Sequence, residues 1–191
     1  MKKNYGWLLL LLAIVVLLVG GSVAYRLLGQ MTNPTVPIET NEAGEPVSSQ
    51  SEAADFTVYD GDGAPVTLSA KQGKPVFINF WATWCAPCRS ELADIDEAYK
   101  TYGDRIEFMM INLTDGSSET VEGVRAFVGE NGYTFPVYYD SDESAALAYG
   151  VGSIPTTVLI GPDGSYLHTQ IGAMSADTIE TLMQTLLAAE G

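Results

Sequence analysis

Val76-Phe77-Ile78-Asn79-Phe80-Trp81-Ala82-Thr83-Trp84-Cys85-Ala86-Pro87-Cys88-Arg89-Ser90-Glu91 is the stretch that decides how this 191-residue chain is read. Its first five residues form a short, nearly continuous apolar run, the pattern of a central strand buried on both faces. Beyond it, Cys88, Leu92, Ile95, Tyr99 and Tyr102 recur at spacings of 4, 3, 4 and 3, one face of a helix. The two cysteines therefore fall at a strand-to-helix junction, with Cys85 at or just before the helix N-terminus. Unpaired backbone N–H groups and the helix dipole favour an anion there. Such positions lower a thiol pKa from ~8.5 into the range ~3.5–7.5. Cys85 is accordingly the expected attacker. Cys88, one turn in on the apolar face, is expected to be more buried, to keep its proton and to act as resolver.

The remaining chemistries open to a cysteine pair are excluded by composition. Cys85 and Cys88 are the only cysteines and His168 the only histidine, so a zinc site lacks ligands. Covalent haem attachment needs His after the second Cys, where Arg89 stands. His168 lies in Tyr166-Leu167-His168-Thr169-Gln170-Ile171, which alternates like a strand, and is expected to be a surface residue rather than a catalytic base. A bridge closing so small a loop constrains the unfolded chain little, so a structural staple is a poor explanation of the pair. Redox chemistry remains, with no metal and no cofactor other than the Cys85–Cys88 disulfide itself.

Around this segment strands and helices alternate. Phe56-Thr57-Val58-Tyr59 and Pro65-Val66-Thr67-Leu68 flank Asp60-Gly61-Asp62-Gly63, a hairpin signature. Further strands are expected over residues 106–113, at Val137-Tyr138-Tyr139, at Thr156-Thr157-Val158-Leu159-Ile160, and, after the turn Gly161-Pro162-Asp163-Gly164, up to Ile171. A second helix is expected over residues 119–130 with Val121, Val124 and Val128 inward. A last one starts at Ser175, a good N-cap, and aligns Ile179, Leu182, Met183, Leu186 and Leu187. The expectation is an α/β domain over residues 55–191, with a central mixed sheet, helices on both faces and an N-terminal β-hairpin.

Upstream, Lys2 and Lys3 precede an apolar run over residues 7–25, 19 residues and near the ~20 that a membrane-spanning helix needs. Its length and the closing Arg26 favour an uncleaved anchor over residues 1–27. The competing reading is a cleaved secretory signal with Ser22-Val23-Ala24 as the cleavage site. Lys2 and Lys3 keep the N-terminus cytoplasmic, and both readings export the remainder, giving a single-pass cell-membrane protein with an extracytoplasmic C-terminal domain. Residues 28–54, rich in Pro, Ser, Thr and Glu, read as a flexible linker. Past Arg26, 6 Lys+Arg face all 24 Asp+Glu, a balance of 6 − 24 = −18. So acidic a surface excludes nucleic-acid binding and a polybasic membrane patch.

Residues Phe80 to Glu91, quoted above, resemble the active-site segment of the TlpA/ResA group, membrane-tethered disulfide reductases of thioredoxin-like fold in the AhpC/TSA-Redoxin superfamily. Ile154-Pro155-Thr156-Thr157 is similar to the group's cis-proline loop, and residues 63–80 resemble its N-terminal hairpin and first core strand. The resemblance spans about residues 55–190. It implies a thioredoxin-like fold, Cys85 as nucleophile, Cys88 as resolver, and a cis Pro155 facing them. A loop ending before Pro155 leaves backbone groups of Ser153 and Ile154 free to pair with an extended partner. Trp84, beside the nucleophile, and Ala86 and Pro87, between the cysteines, supply the remaining contact surface, whereas Trp81 reads as core. The resemblance also implies an electron donor of the CcdA/DsbD type, a membrane thiol transducer. As recipient it implies apocytochrome c, or another exported thiol protein such as a methionine sulfoxide reductase.

Cytosolic thioredoxins carry a buried Asp where this chain has Asn79, which cannot titrate. Glu91, about 60° round the helix from Cys88, is the candidate to move the proton. Partial desolvation at the edge of the apolar stripe should raise its pKa toward the working pH. Helix geometry leaves this reading level with a simple dipole-stabilising acid, and the resemblance favours the catalytic one. Arg89 reads as a solvated helix residue. Two other functions fit the same chain: a thiol peroxidase, although Ala82 stands where such enzymes place Thr, and a tethered binding domain whose cysteines stay permanently bridged.

Overall fold

The structure, a computed structural model, describes residues 51–190. The expected anchor over residues 1–27 and most of the expected linker lie outside the described residues. Among the described residues no helix is long and apolar enough to cross a membrane. Ordered pairing begins ahead of the expected boundary at Asp55. Glu52 bridges Ser165, and Ala53 donates its N–H to the Gly164 carbonyl at 2.9 Å.

Seven strands form one sheet: β1 (Thr57–Tyr59), β2 (Pro65–Thr67), β3 (Val76–Trp81), β4 (Glu107–Asn112), β5 (Val137–Tyr139), β6 (Thr156–Ile160) and β7 (Tyr166–Ile171), in the order β2-β1-β5-β4-β3-β6-β7. β3–β4 and β4–β5 are parallel and the other pairs antiparallel. The helices are α1 (Ala86–Tyr102), α2 (Val121–Asn131), α3 (Ser144–Ala148) and α4 (Ala176–Ala188), with a 3-10 turn at Ser69–Lys71. The first hairpin turns at Gly63, whose φ of 82° is the left-handed region that glycine tolerates.

Both faces of the sheet are covered, but unequally. Strands β3, β4 and β5 are laid down in one direction, and right-handed crossovers then place α1 and α2 on the same side. α4 joins them over Phe77, Trp81, Phe108 and Leu159. The opposite face, with Val76, Ile78, Phe80 and Ile111, is closed by Ala145 of α3 together with Phe56, Leu68, Tyr149 and Val151. β3 is buried over its whole length, as its unbroken apolar pattern requires.

Several element boundaries move by one or two residues. The strand expected over 106–113 is shorter by one residue at each end. The second helix begins at Val121 rather than 119, because Thr120 caps it, its Oγ1 accepting from the Gly123 N–H at 3.1 Å. Glu119 is thereby left outside the helix and buried, with consequences for the site.

Candidate active site

The site sits at the carboxyl end of β3, where parallel strands of an α/β sheet place their ligands. Cys85 is the N-cap of α1, with extended backbone (φ −78°, ψ 101°), and its Sγ accepts the Cys88 N–H at 3.2 Å. Pro87 lies in the first turn, where the missing N–H costs nothing. Cys85 and Cys88 are joined in a disulfide. Cys88 is fully buried, while Cys85 keeps a 4% exposed edge. The Ile154–Pro155 peptide is cis, and the Ile154 carbonyl oxygen lies 3.7 Å from Cys85 Sγ. The chain thus brings together Cys85, Cys88, Ile154 and Pro155 from α1 and the loop before β6, 69 residues apart at the Cys85–Ile154 contact.

Trp84, Ala86, Pro87 and Ser153 are exposed round the pair, whereas Trp81 is fully buried against Phe127 and Phe135. The Ser153 carbonyl accepts from Thr156 Oγ1 at 2.7 Å, so that group is already engaged. Among the described residues the N–H groups of Ser153 and Ile154 have no partner in the chain and stay available to an extended segment. Arg89 is exposed, its guanidinium 5.8 Å from the centre of the Phe127 ring. His168 is an exposed residue of β7, opposite Leu159.

Glu91 is fully enclosed rather than at the edge of the stripe. Its Oε1 accepts from Asn79 Nδ2 at 2.9 Å and its Oε2 from the Met174 N–H at 2.7 Å. Burial pushes its carboxyl above the ordinary range, and these two neutral donors offset only part of that. Asn79 Nδ2 also donates to Thr157 Oγ1 at 2.9 Å, while Asn79 Oδ1 is buried without a partner.

Glu119 is the site residue that sequence reasoning missed. Its buried carboxylate accepts the Thr83 N–H and the Thr83 hydroxyl, both at 2.7 Å, and Asn112 Nδ2 at 2.6 Å. Thr83 belongs to the turn closed by the Cys85 N–H on the Ala82 carbonyl at 3.2 Å. Glu119 therefore ties the loop that presents Trp84 and Cys85 to the end of β4. The signal available in sequence was Thr120 as an N-cap, which excludes residue 119 from the helix.

A family model, the AhpC/TSA family, matches residues 50–167. The thiol-disulfide oxidoreductase ResA of Bacillus thuringiensis (strain Al Hakam) is 32% identical over 187 residues, covering 97% of this chain and 99% of the relative. ResA of Bacillus subtilis (strain 168) is 34% identical over 147 residues, covering 76% and 80%. Among solved structures, a secreted Mycobacterium tuberculosis disulfide oxidoreductase superposes with a TM-score of 0.59 at 26% identity, covering 69% of this chain and 96% of that one. With a Cys-x-x-Cys pair bridged at a helix N-terminus and relatives that are thiol-disulfide oxidoreductases, the substrate class is a disulfide. The chain belongs to the AhpC/TSA family and, within it, to the ResA-type thiol-disulfide oxidoreductases.

Proposed function

We propose that this chain is an extracytoplasmic, membrane-anchored reductase of disulfides in exported proteins. The observation that carries the reading is the placement of Cys85 Sγ, held at the α1 N-terminus by the Cys88 N–H and 3.7 Å from the Ile154 carbonyl. In the reduced protein, a thiolate in that place is stabilised by the N–H and the helix dipole. It attacks one sulfur of the substrate disulfide, forming a Cys85–substrate bond and releasing the other substrate sulfur as a thiolate. Cys88, once deprotonated, attacks Cys85 Sγ, the mixed disulfide breaks, and the substrate leaves with two electrons as a dithiol. Glu91 is the group proposed to accept the Cys88 proton and return it when the pair is reduced again. Ser153 and Ile154 hold the substrate backbone beside Pro155, with Trp84, Ala86 and Pro87 as the contact surface.

Several features support export: the Lys2-Lys3 start, the apolar run that follows, and likeness to a secreted oxidoreductase. A chain placed there needs electrons from inside, and a membrane thiol transducer of the CcdA/DsbD kind is the proposed donor. Apocytochrome c during cytochrome c maturation is the proposed recipient class. The reducing direction rests on Ala86-Pro87, which lacks the His that strong oxidants carry between their cysteines. The pair itself is the redox group, and no further cofactor is invoked.

The test is capture. The Cys88→Ala chain should accumulate a mixed disulfide through Cys85 with exported thiol proteins, and the parent pair should poise nearer ~−270 mV than ~−120 mV. A potential at the oxidising end reverses the direction. Absence of any adduct leaves a tethered binding domain with a permanent bridge.

A further inference from the structure

The loop that carries Ser153, Ile154 and Pro155 is held from its upstream side by α3. Val151 donates its N–H to the Ala146 carbonyl at 2.9 Å, and Gly150 donates to the Leu147 carbonyl at 3.2 Å. Both acceptors lie in a helix of only five residues, and a single turn of helix has no stability of its own. This one also starts from Glu143, whose φ of 60° lies in the left-handed region that a non-glycine residue enters only at a cost. Something outside α3 must therefore keep it in place.

Asp140, just past β5, does so. It is 1% exposed, its Oδ1 accepting the Ala145 N–H at 3.0 Å and its Oδ2 the Ala146 N–H at 2.8 Å, two first-turn donors with no partner inside the helix. Ala146 is thus held through its N–H by Asp140, while its carbonyl holds Val151, three residues before Ile154, whose own carbonyl oxygen is 3.7 Å from Cys85 Sγ. Asp140 is anchored in turn, because its backbone N–H donates to the Asn112 carbonyl at 3.0 Å. Asn112 is also the residue whose Nδ2 holds Glu119, and Glu119 holds Thr83 in the turn that presents Cys85. The two walls of the site therefore meet at one residue of β4: the wall with the sulfur through Glu119, the wall with Pro155 through Asp140.

We propose that Asp140 is a positioning residue for substrate binding: its carboxyl, acting through α3 and Val151, sets where the Ser153 and Ile154 N–H groups stand relative to Cys85. It touches neither substrate nor reacting atoms. An extended segment paired with those two N–H groups brings its disulfide to Cys85 Sγ only while the loop keeps that distance. When the clamp on α3 opens, the loop takes other positions, and the fraction of binding-competent protein enters directly into the apparent affinity. A small disulfide has no backbone to lay along the loop and is indifferent to the clamp. The proposal rests on the disulfide-exchange reading of Cys85 and Cys88.

The test compares Asp140→Asn with the parent, each as the full chain in detergent micelles, pre-reduced, in single-turnover reactions. Asn keeps the outline of Asp but offers one acceptor oxygen instead of two, so either Ala145 or Ala146 loses its partner. Toward a single-cysteine peptide carrying a thionitrobenzoate mixed disulfide, the half-saturating concentration should rise about fivefold, with the maximal rate within about twofold and the rate with hydroxyethyl disulfide unchanged. In amide hydrogen exchange the Val151 N–H should speed up by a larger factor than the amides of β3. Asp96→Ala, which removes a buried clamp elsewhere, measures plain destabilisation and should half-saturate like the parent. An unmoved half-saturation in Asp140→Asn overturns the proposal, as does a Val151 amide that opens no faster than β3, or an equal rise in Asp96→Ala. If Asp140→Asn does not fold, the same comparison is made in a Glu143→Gly host, where glycine takes the left-handed turn readily. A parent inert toward both the peptide and hydroxyethyl disulfide brings down the disulfide-exchange reading itself.

Discussion

Glu91 and Asp96 stand five residues apart on α1, both withdrawn from water, yet their surroundings drive the two carboxyls in opposite directions. Burial pushes Asp96 up, but Lys100 Nζ at 2.8 Å, the Thr134 N–H at 2.6 Å, the Thr134 hydroxyl at 3.0 Å and the Phe135 N–H at 3.2 Å outweigh it. Its carboxyl is held below the ordinary range. Glu91 has the Met174 N–H and one Asn79 amide proton, and no cation. Burial wins there, and the carboxyl rises. A buried acid with a cation and several donors is a fixed anion that welds the loop before β5 to α1. One with two neutral donors holds its proton to higher pH than an ordinary carboxyl, the direction that acid-base chemistry requires.

The largest way to break this contrast is Glu91→Gln. The amide keeps the shape, and Asn79 turns its unpartnered Oδ1 toward it, so folding survives while proton transfer is lost. Turnover on a protein disulfide is expected to fall about a hundredfold. The stability profile carries the sign. Because the folded-state pKa of Glu91 is raised, its contribution is full below the ordinary carboxyl pKa and is lost as pH rises through the raised value. Urea midpoints of the parent should decline more steeply across that window than those of Glu91→Gln, in which, among the described carboxyls, only Asp140, whose carboxyl burial also raises, keeps that sign.

Asp96→Ala runs the other way. It leaves the Thr134 and Phe135 donors without their acceptor, for a loss of about 2 kcal/mol at neutral pH, read from urea unfolding. The folded pKa of Asp96 is depressed, so its contribution is present above the ordinary Asp value and disappears as pH falls through the lowered one. The variant should therefore show a shallower acid-side decline than the parent, the remainder coming from other lowered carboxyls such as Asp55 and Asp163, while turning over normally.

Sequence could show only the local half of this contrast. The strand-to-helix junction was legible because each of its signals lies within a few residues: the apolar run, the N-cap position of Cys85, Pro87 in the first turn, the stripe from Cys88 to Tyr102. Glu91 was visible as a candidate, but its full enclosure depends on Met174, 83 residues on. Glu119 holds Thr83 from 36 residues away and carries no periodic signal. α3 is a single five-residue helix, too short to show a repeat. The unequal cover of the two faces follows from the strand order β3-β4-β5, which no local pattern encodes.

Asn79→Asp sharpens the contrast with the smallest change. The substitution keeps the side chain's outline and replaces Nδ2 by an oxygen 2.9 Å from both Glu91 Oε1 and Thr157 Oγ1. The Thr157 hydroxyl rotates to donate, but two carboxylates at that separation cannot both ionise without a cation between them. They hold one proton in common and titrate as a pair, so the proton is released only at higher pH than from Glu91 alone. The pH at which thiol alkylation and turnover change should move up by about one unit, with the maximal rate within about threefold of the parent. An unmoved profile would mean that residue 79 is electrically uncoupled from Glu91 during the reaction. The rise of the Glu91 carboxyl would then owe nothing to Asn79 being neutral, and the missing cation and fewer donors, rather than the choice of amide over acid, would separate Glu91 from Asp96.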